Sequence, residues 1–196
     1  MLPISVDLGQ IRVMLVGGGK PALRRLRALE EAGAGALDIY APDPEPALAA
    51  AAGARLRARF PTAAEIARTR LVFVAGAAES VAAEISRMAR AAGVLVNVED
   101  DRARSDFHSA AIVRRGDLTL AISTNGKSPG LAALLKRTLD QRFGPEWGMR
   151  LERISALRQS WRAAGADPAA ISERTRQWAW RQGWLGPSHE PPAPIP

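Results

Sequence analysis

Three consecutive glycines, Gly17 to Gly19, end the first apolar run of the chain, and a helical pattern begins directly behind them. The spacing Gly17-x-Gly19-x-x-Ala22 is typical of the turn that binds the pyrophosphate of a dinucleotide. Glycine permits a tight turn and lets the backbone approach the phosphates closely. The unpaired N–H groups at the start of the helix would then hold the phosphates. We expect Gly17, Gly18 and Gly19 to bind a dinucleotide; a tight turn without a ligand is the alternative.

A second candidate lies at the end of the apolar run 94–98, where Asn97 and Asp100 occur. Ligands of open α/β sheets bind beyond the carboxyl ends of the strands, and the glycine turn lies on the same side. A carboxylate beside a nicotinamide can act as a general base, taking a proton while a hydride leaves. The acidic run Glu99–Asp101 is also typical of a solvated turn, and its spacing alone favours that interpretation.

A third candidate concerns the ribose of the dinucleotide, which an acidic side chain after the second strand often binds. Asp38 lies within the strand-like run 36–41, and Asp43 lies in the turn beyond it. Asp43 is the better placed of the two, but an ordinary turn aspartate is an equal alternative. The sequence therefore determines the choice between NAD and NADP only weakly.

Other kinds of active site are excluded by the residues that the chain lacks. It has no cysteine and only two histidines, His108 and His189, so thiolate chemistry and a multi-histidine metal site are excluded. Tyr40 is the only tyrosine and Pro44 follows four residues later, so a Tyr-x-x-x-Lys pair is absent. A Ser–His–acid triad would depend on His108, and no Gly-x-Ser-x-Gly turn accompanies it. We expect no metal site.

The charge of the chain narrows the choice of partner. A net charge of +7 favours an acidic partner such as nucleic acid, an anionic surface or a polyanionic small molecule. The arginines are dispersed, and aromatic platforms and groove-reading motifs are missing, so we expect no nucleic acid partner. No apolar run approaches the ~20 residues that span a bilayer, and no targeting segment opens the chain. We expect a soluble, cytoplasmic protein without a membrane partner.

Strand and helix patterns alternate through the first hundred or so residues, which predicts a Rossmann-like, doubly wound parallel sheet of the α/β class. After residue 98 the pattern changes to a hairpin formed by Phe107–Arg114 and Leu118–Thr124. Ser128 is a credible N-cap for the next helix, and the last third is helical, with all five tryptophans expected to pack helices together. The strands are predicted at 11–16, 36–41, 55–60, 70–76 and 94–98.

Three segments, in this order, carry a family resemblance: LPISVDLGQIRVMLVGGGKPALRR, NVEDDRARSDFHSAAIVRRGDLTLAIST and NGKSPGLAALLKRTL. Over about residues 2–140 the chain resembles the siroheme synthase amino-terminal module, the precorrin-2 dehydrogenase/sirohydrochlorin ferrochelatase family. The resemblance implies that Asp100 is catalytic. It implies nucleotide-binding positions at Lys20, Pro21, Pro42 and Asp43, beside the glycines and Asn97. The residues expected on the substrate side are His108, Ser123, Thr124, Asn125, Lys127 and Ser128.

The resemblance further implies NAD-dependent dehydrogenation of precorrin-2 to sirohydrochlorin, followed by Fe²⁺ insertion to give siroheme. The partners implied are a polyanionic tetrapyrrole substrate and a second copy of the chain in a homodimer. No methyltransferase module accompanies these residues, so a stand-alone version is expected. An NAD(H)-sensing regulatory domain without catalysis is the alternative.

Together these inferences divide the chain into four parts. We predict an NAD-binding Rossmann-like domain at 1–106 and a hairpin–helix dimerisation segment at 107–143. A small helical domain is predicted at 144–186, followed by a disordered tail at 187–196.

Overall fold

The computed structural model describes residues 2–184, so the predicted tail at 187–196 lies outside the described residues. The chain forms two compact units. The first contains the residues up to Ser109 together with Asn125–Lys127, and the second contains Ala110–Thr124 and the residues from Ser128 onward. Each unit is described by itself.

The first unit is built on a five-stranded parallel sheet with the strand order β3-β2-β1-β4-β5. From β1 the chain moves outward to β3 and then returns to the other side of β1 to form β4. The point where the direction reverses, between β1 and β4, is where sheets of this kind bind nucleotides. The predicted doubly wound sheet is confirmed. The strands are β1 Arg12–Gly17, β2 Ala36–Tyr40, β3 Leu56–Arg57, β4 Leu71–Ala75 and β5 Leu95–Val98.

Helices cover both faces of this sheet because its strands are apolar on both sides. Val13 and Leu15 belong to one buried cluster, whereas Met14 and Val16 belong to the other, as the alternation of side chains along a strand requires. Each cluster also contains buried side chains from the helices that connect the strands. These helices are α1 Gly19–Glu31, α2 Pro46–Ala52, α3 Ala63–Ile66 and α4 Glu79–Ala91.

One predicted strand is much shorter than expected. The alternation over 55–60 predicts six residues of strand, but only Leu56–Arg57 pair with β2, and a 3-10 turn precedes them. The chain turns away from the sheet directly after Arg57, since the Arg59 N–H donates to the Arg57 carbonyl oxygen at 2.8 Å, and the Arg59 side chain is then held outside the sheet. Its guanidinium donates to both carboxylate oxygens of Glu65, at 2.5 and 2.9 Å, and Glu65 in turn forms a capping box with Thr62.

The second unit begins with the predicted hairpin, formed by the antiparallel strands β6 Ala111–Arg115 and β7 Leu118–Ile122. The first strand starts later than the predicted Phe107, because Phe107 belongs to the first unit and packs there against Phe73. Arg115 ties this hairpin to the helices, since its guanidinium donates to the Phe143 carbonyl oxygen at 2.6 Å and to the Asp140 carboxylate at 2.9 Å. The helices are α5 Pro129–Arg142, α6 Glu146–Ala163 and α7 Pro168–Arg181.

Aromatic rings hold the last helices together, as predicted for Trp147, Trp178 and Trp184, whereas Trp180 is 54% exposed and does not fit that prediction. Trp184 lies 4.8 Å from Trp178 and 6.1 Å from Trp147, measured between ring centroids. The guanidinium of Arg150 stacks 4.9 Å above Trp147, and that of Arg153 stacks 5.0 Å above Trp178. These contacts form a continuous aromatic and cationic layer within the second unit.

Candidate active site

Two glycines let the β1–α1 turn and the end of β4 pack backbone against backbone. A Cβ on Gly17, whose φ is +135°, would lie 1.8 Å from the Ala75 carbonyl oxygen. A Cβ on Gly76, at φ +65°, would lie 2.2 Å from the Gly18 carbonyl oxygen. Any other residue at either position would force the two segments apart. The glycines therefore build the crevice at the reversal point of the sheet.

The start of α1 presents unpaired backbone donors to this crevice. Gly18 is the N-cap, no side chain caps the helix, and its first turn has no acidic residue. A Cβ on Gly18 would meet nothing within 4 Å, so the space beside it is open. The N–H groups of Gly19 and Lys20 are in the first turn, where helical N–H groups have no intrahelical partner. These donors and the positive end of the helix fit a pyrophosphate.

A carboxylate that sequence reasoning missed lies beside this turn. The Oε1 atom of Glu45 lies 3.5 Å from the position that a Cβ on Gly19 would occupy. Asp43 and Pro42 are exposed in the preceding turn, and Asp38 forms an ion pair with Arg12 at 3.6 Å. The signal for Glu45 was Pro46, because proline favours the first helical position and so makes Glu45 the N-cap of α2.

The loop after β5, which carries Asp100, is anchored to its own strand. The Ser105 hydroxyl accepts a hydrogen bond from the Val98 N–H at 2.9 Å and lies 2.6 Å from the Asp101 carbonyl oxygen, to which it donates. The Asp106 carboxylate accepts from the Val96 N–H at 3.1 Å. It also accepts from the Arg90 guanidinium of α4, at 2.9 Å. These bonds fix both ends of the loop.

The three acidic residues at the tip of this loop differ in their partners. Glu99 pairs with Arg24 of α1 at 3.4 Å. Asp101 pairs with Arg104, whose backbone N–H and guanidinium hold the pKa of the Asp101 carboxyl below its usual value. Among the described residues, the Asp100 side chain has no hydrogen bond or ion pair, and it is exposed. The loop thus neutralises two of its carboxylates and leaves the middle one available.

The backbone of Asp100 is also unusual. Its φ is +60°, in the left-handed region that few residues other than glycine adopt, although aspartate and asparagine tolerate it best. Such conformations persist where the surrounding structure holds them in place, and they concentrate at functional sites. Asp100 lines a cleft of about 530 Å³. The other residues that line this cleft are Ala77, Glu79, Ala82, Val98, Glu99, Asp101, Arg102, Ala103 and Arg104.

Asn97 and His108 lie on the segments that flank this loop. Asn97 is buried, and its amide nitrogen donates to the Phe107 carbonyl oxygen at 2.9 Å. The Phe107 ring packs edge-on against Phe73, with 5.3 Å between centroids, and half-buried His108 follows it. The amide group of Asn97 therefore holds the chain where it leaves the loop.

The remaining predicted substrate-side residues fall into two groups. Asn125 and Lys127 belong to the first unit, where Gly126 between them approaches Arg102 of the Asp100 loop. Thr124 and Ser128 belong to the second unit and bind each other, since the Ser128 N–H donates to the Thr124 hydroxyl at 3.2 Å.

Ser128 also accepts from the Leu131 N–H at 3.2 Å, which confirms it as the N-cap of α5. Ser123, the last of these predicted residues, lies in the second unit just after β7.

Within residues 2–184, no group of three or more histidine, aspartate or glutamate side chains could hold a metal ion. No helix in the same range is long and apolar enough to cross a membrane.

Known proteins match the chain along most of its length. Residues 4–111 match the family described as "Putative NAD(P)-binding", and residues 115–142 match the central region of sirohaem biosynthesis proteins. Siroheme synthase 2 of Aeromonas salmonicida is 37% identical over 179 residues, which cover 90% of this chain and 36% of that protein. The siroheme synthase of Tolumonas auensis is 34% identical over 201 residues, which cover 94% of this chain and 42% of that protein.

A solved structure shares the fold. The structure of SirC, a precorrin-2 dehydrogenase, superposes with a TM-score of 0.73 at 22% identity and covers 95% of this chain and 94% of that one. The sheet, its reversal point and the glycine turn define a dinucleotide-binding protein of the Rossmann type. Within that class, the chain belongs to the family of NAD(P)-binding modules that forms the amino-terminal part of siroheme synthases. The chain spans 36% and 42% of the length of the two siroheme synthases above.

Proposed function

We propose that the protein dehydrogenates precorrin-2 to sirohydrochlorin, with NAD⁺ as the hydride acceptor and Asp100 as the base. The observation that carries this proposal is the contrast between the paired carboxylates of Glu99 and Asp101 and the unpartnered carboxylate of Asp100. The siroheme synthase relatives and the shared fold of a precorrin-2 dehydrogenase support the choice of substrate.

Different residues of the site have different roles in this reaction. NAD⁺, when bound, accepts the hydride. The backbone donors of Gly19 and Lys20 would hold its pyrophosphate in the crevice that the close packing at Gly17 and Gly76 builds. The Asp100 carboxylate takes the proton that the tetrapyrrole loses with the hydride, so two electrons and two hydrogens leave the substrate. Ser105 and Asp106 keep the loop, and so this carboxylate, in place.

The carboxylate of Glu45 supports NAD rather than NADP as the cofactor. An acid at this side of the glycine turn can accept a hydrogen bond from a ribose hydroxyl and repels a 2′-phosphate. In titrations with NADH and NADPH, Glu45→Gln should reduce the ratio of the NADPH Kd to the NADH Kd. If this ratio is the same as in the wild type, Glu45 does not have this role. Glu31→Gln, at the far end of α1, is the matched control.

Iron insertion is the second step that we propose. Fe²⁺ is here a substrate, and two pyrrole N–H protons leave the macrocycle as it enters. The Asp100 carboxylate, once it has released its first proton to solvent, can accept these protons in turn. The macrocycle nitrogens themselves would ligate the ion, so this step does not require a cluster of protein ligands.

The protein should act as a homodimer through α5. Leu131, Leu134 and Leu135 lie on one side of this helix and are 48%, 53% and 40% exposed, and no residue of α5 is buried in the described chain. Residues at i, i+3 and i+4 share one face of a helix, so these leucines form a continuous apolar surface. A second copy of the chain would cover it.

The deciding experiment is anaerobic conversion of precorrin-2, followed by absorbance, with and without NAD⁺. Asp100→Asn keeps a residue that tolerates the left-handed backbone but removes the base, so turnover should fall by about 10²-fold or more. Asp117→Asn, in the exposed hairpin turn, is the control and should retain full activity. Addition of Fe²⁺ to the same cuvette tests the second step. A folded wild-type protein that binds NADH without turnover would contradict the proposal and favour an NAD(H)-sensing domain.

A further inference from the structure

We propose that Arg102 binds a carboxylate of the anionic substrate beside Asp100, and so acts as a specificity residue of this site. The inference rests on the proposed function, because it assigns a partner to a side chain of the cleft described above. Arg102 is the cation of this cleft without a protein partner, its side chain lies against Gly126, and acidic residues outnumber cations around Asp100.

The two cationic side chains that line the cleft, Arg102 and Arg104, differ in their partners. The guanidinium of Arg104 forms ion pairs with Asp101 and, at 3.1 Å, with Glu79. Arg102 forms no hydrogen bond or ion pair with any residue in the part of the chain that the structure describes, and it is exposed. Arg104 therefore maintains the loop, whereas the five N–H donors of Arg102 are available to a ligand.

Gly126 limits where the Arg102 side chain can lie. A Cβ on Gly126 would be 3.0 Å from the Cδ atom of Arg102, 3.1 Å from its Nε atom and 3.3 Å from its Cζ atom. The Arg102 side chain thus lies along the backbone of the Asn125–Lys127 loop, which the absence of a Cβ makes possible. A guanidinium that is already held in one region loses less conformational freedom when it binds.

The charges around Asp100 explain why a cation is needed there. Four acidic residues line the cleft, namely Glu79, Glu99, Asp100 and Asp101, and the ion pairs with Arg24 and Arg104 offset only two of these negative charges. A polycarboxylate that approaches the base would be repelled unless a cation receives its nearest carboxylate. Arg102 supplies that cation in a geometry that suits a bidentate contact with a carboxylate. A phosphate of the nucleotide offers similar chemistry, so the experiment must separate the two sources of anion.

The test compares three variants in two binding titrations. Uroporphyrin, an octacarboxylic porphyrin, is titrated by its absorbance, and NADH is titrated by its fluorescence. Arg102→Gln removes the charge, whereas Arg102→Lys keeps it. Arg68→Gln is the matched control, because the Arg68 side chain is exposed and forms no hydrogen bond or ion pair among the described residues, and Arg68 lies before the amino end of β4, whereas the cleft lies beyond the carboxyl ends of the strands.

We expect Arg102→Gln to raise the Kd of uroporphyrin about tenfold, the size of effect that a hydrogen bond to a charged group has on affinity. Arg102→Lys should recover part of this loss, Arg68→Gln should show none, and the NADH affinity of all three should stay within about twofold of wild type. With precorrin-2, Arg102→Gln should raise KM and leave kcat nearly unchanged, whereas Asp100→Asn lowers kcat.

Two results would overturn the assignment. In the first, Arg102→Gln binds uroporphyrin as tightly as the wild type; in the second, Arg102→Gln loses affinity for NADH and not for uroporphyrin. The latter would assign Arg102 to the nucleotide. A wild-type protein that binds NADH but not uroporphyrin would overturn the tetrapyrrole substrate itself, and this inference with it. The two failures are therefore distinguishable.

Discussion

The two units of the molecule bury their apolar residues to very different degrees. In the first unit, the strands β1 and β4 are buried over almost their whole length, and helices cover both faces. In the second unit, α5 and α6 have no buried residue within the described chain. The first unit therefore has its own core and can position a reactive group rigidly. The second presents an apolar surface on α5, which is the surface that we propose as the dimer interface.

The largest effect should come from a cavity in the core of the first unit. Leu26 of α1 is fully buried in the cluster that also contains Leu15 and Ile39. Leu26→Ala should lower the free energy of unfolding by about 2–5 kcal/mol, because it removes buried methyl groups and leaves a cavity. Urea denaturation measures the change. A loss below about 1 kcal/mol would contradict the view that this core stabilises the unit independently.

A change on α5 should affect association rather than the core. Leu134→Glu places a charge in the exposed apolar face, so it should convert a dimer to a monomer in sedimentation velocity. Ala133→Glu is the control, because position 133 is exposed and lies on the other side of the helix. If both variants sediment like wild type, α5 is not the dimer interface.

The smallest effect concerns the pH dependence of stability. The pKa of Asp101 is lowered in the folded state, so the Asp101–Arg104 pair stabilises the protein above the usual pKa of aspartate. That contribution is lost as the pH falls through the lowered pKa. Asp101→Asn should therefore reduce the melting temperature at pH 7 and have less effect near pH 3. A reduction of equal size at both pH values would show that the charge is not responsible.

Local patterns predicted much of the first unit and one helix start in the second. The glycine turn, the alternating strands and helices and the Ser128 cap of α5 depend on neighbours within a few residues, and the structure contains all three. The short β3 was mispredicted because a backbone turn, in which the Arg59 N–H donates to the Arg57 carbonyl oxygen, ends the strand after two residues. Local alternation contains no information about such a turn.

The ion pairing and the side-chain positions within the site depend on contacts between residues that are far apart in the chain. Glu99 is neutralised by Arg24, which precedes it by 75 residues, and Arg102 meets Gly126. The sequence marks Asp100 as one acid among three, and only the pairing of its neighbours distinguishes it. Glu45 was missed for a similar reason, because its approach to Gly19 follows from the position of α2 against α1.

The contact between Gly18 and Gly76 also links the nucleotide site to the folding of the sheet. The two backbones meet only when β1 and β4 are already paired. A chain in which this pair has opened has no crevice, so the nucleotide should bind the native ensemble and not the unfolded one. The free energy of unfolding should therefore increase with the concentration of the dinucleotide. A free dinucleotide concentration of one hundred times Kd should add about 2.7 kcal/mol. In a cell, the supply of dinucleotide would thus raise the fraction of the chain that is folded.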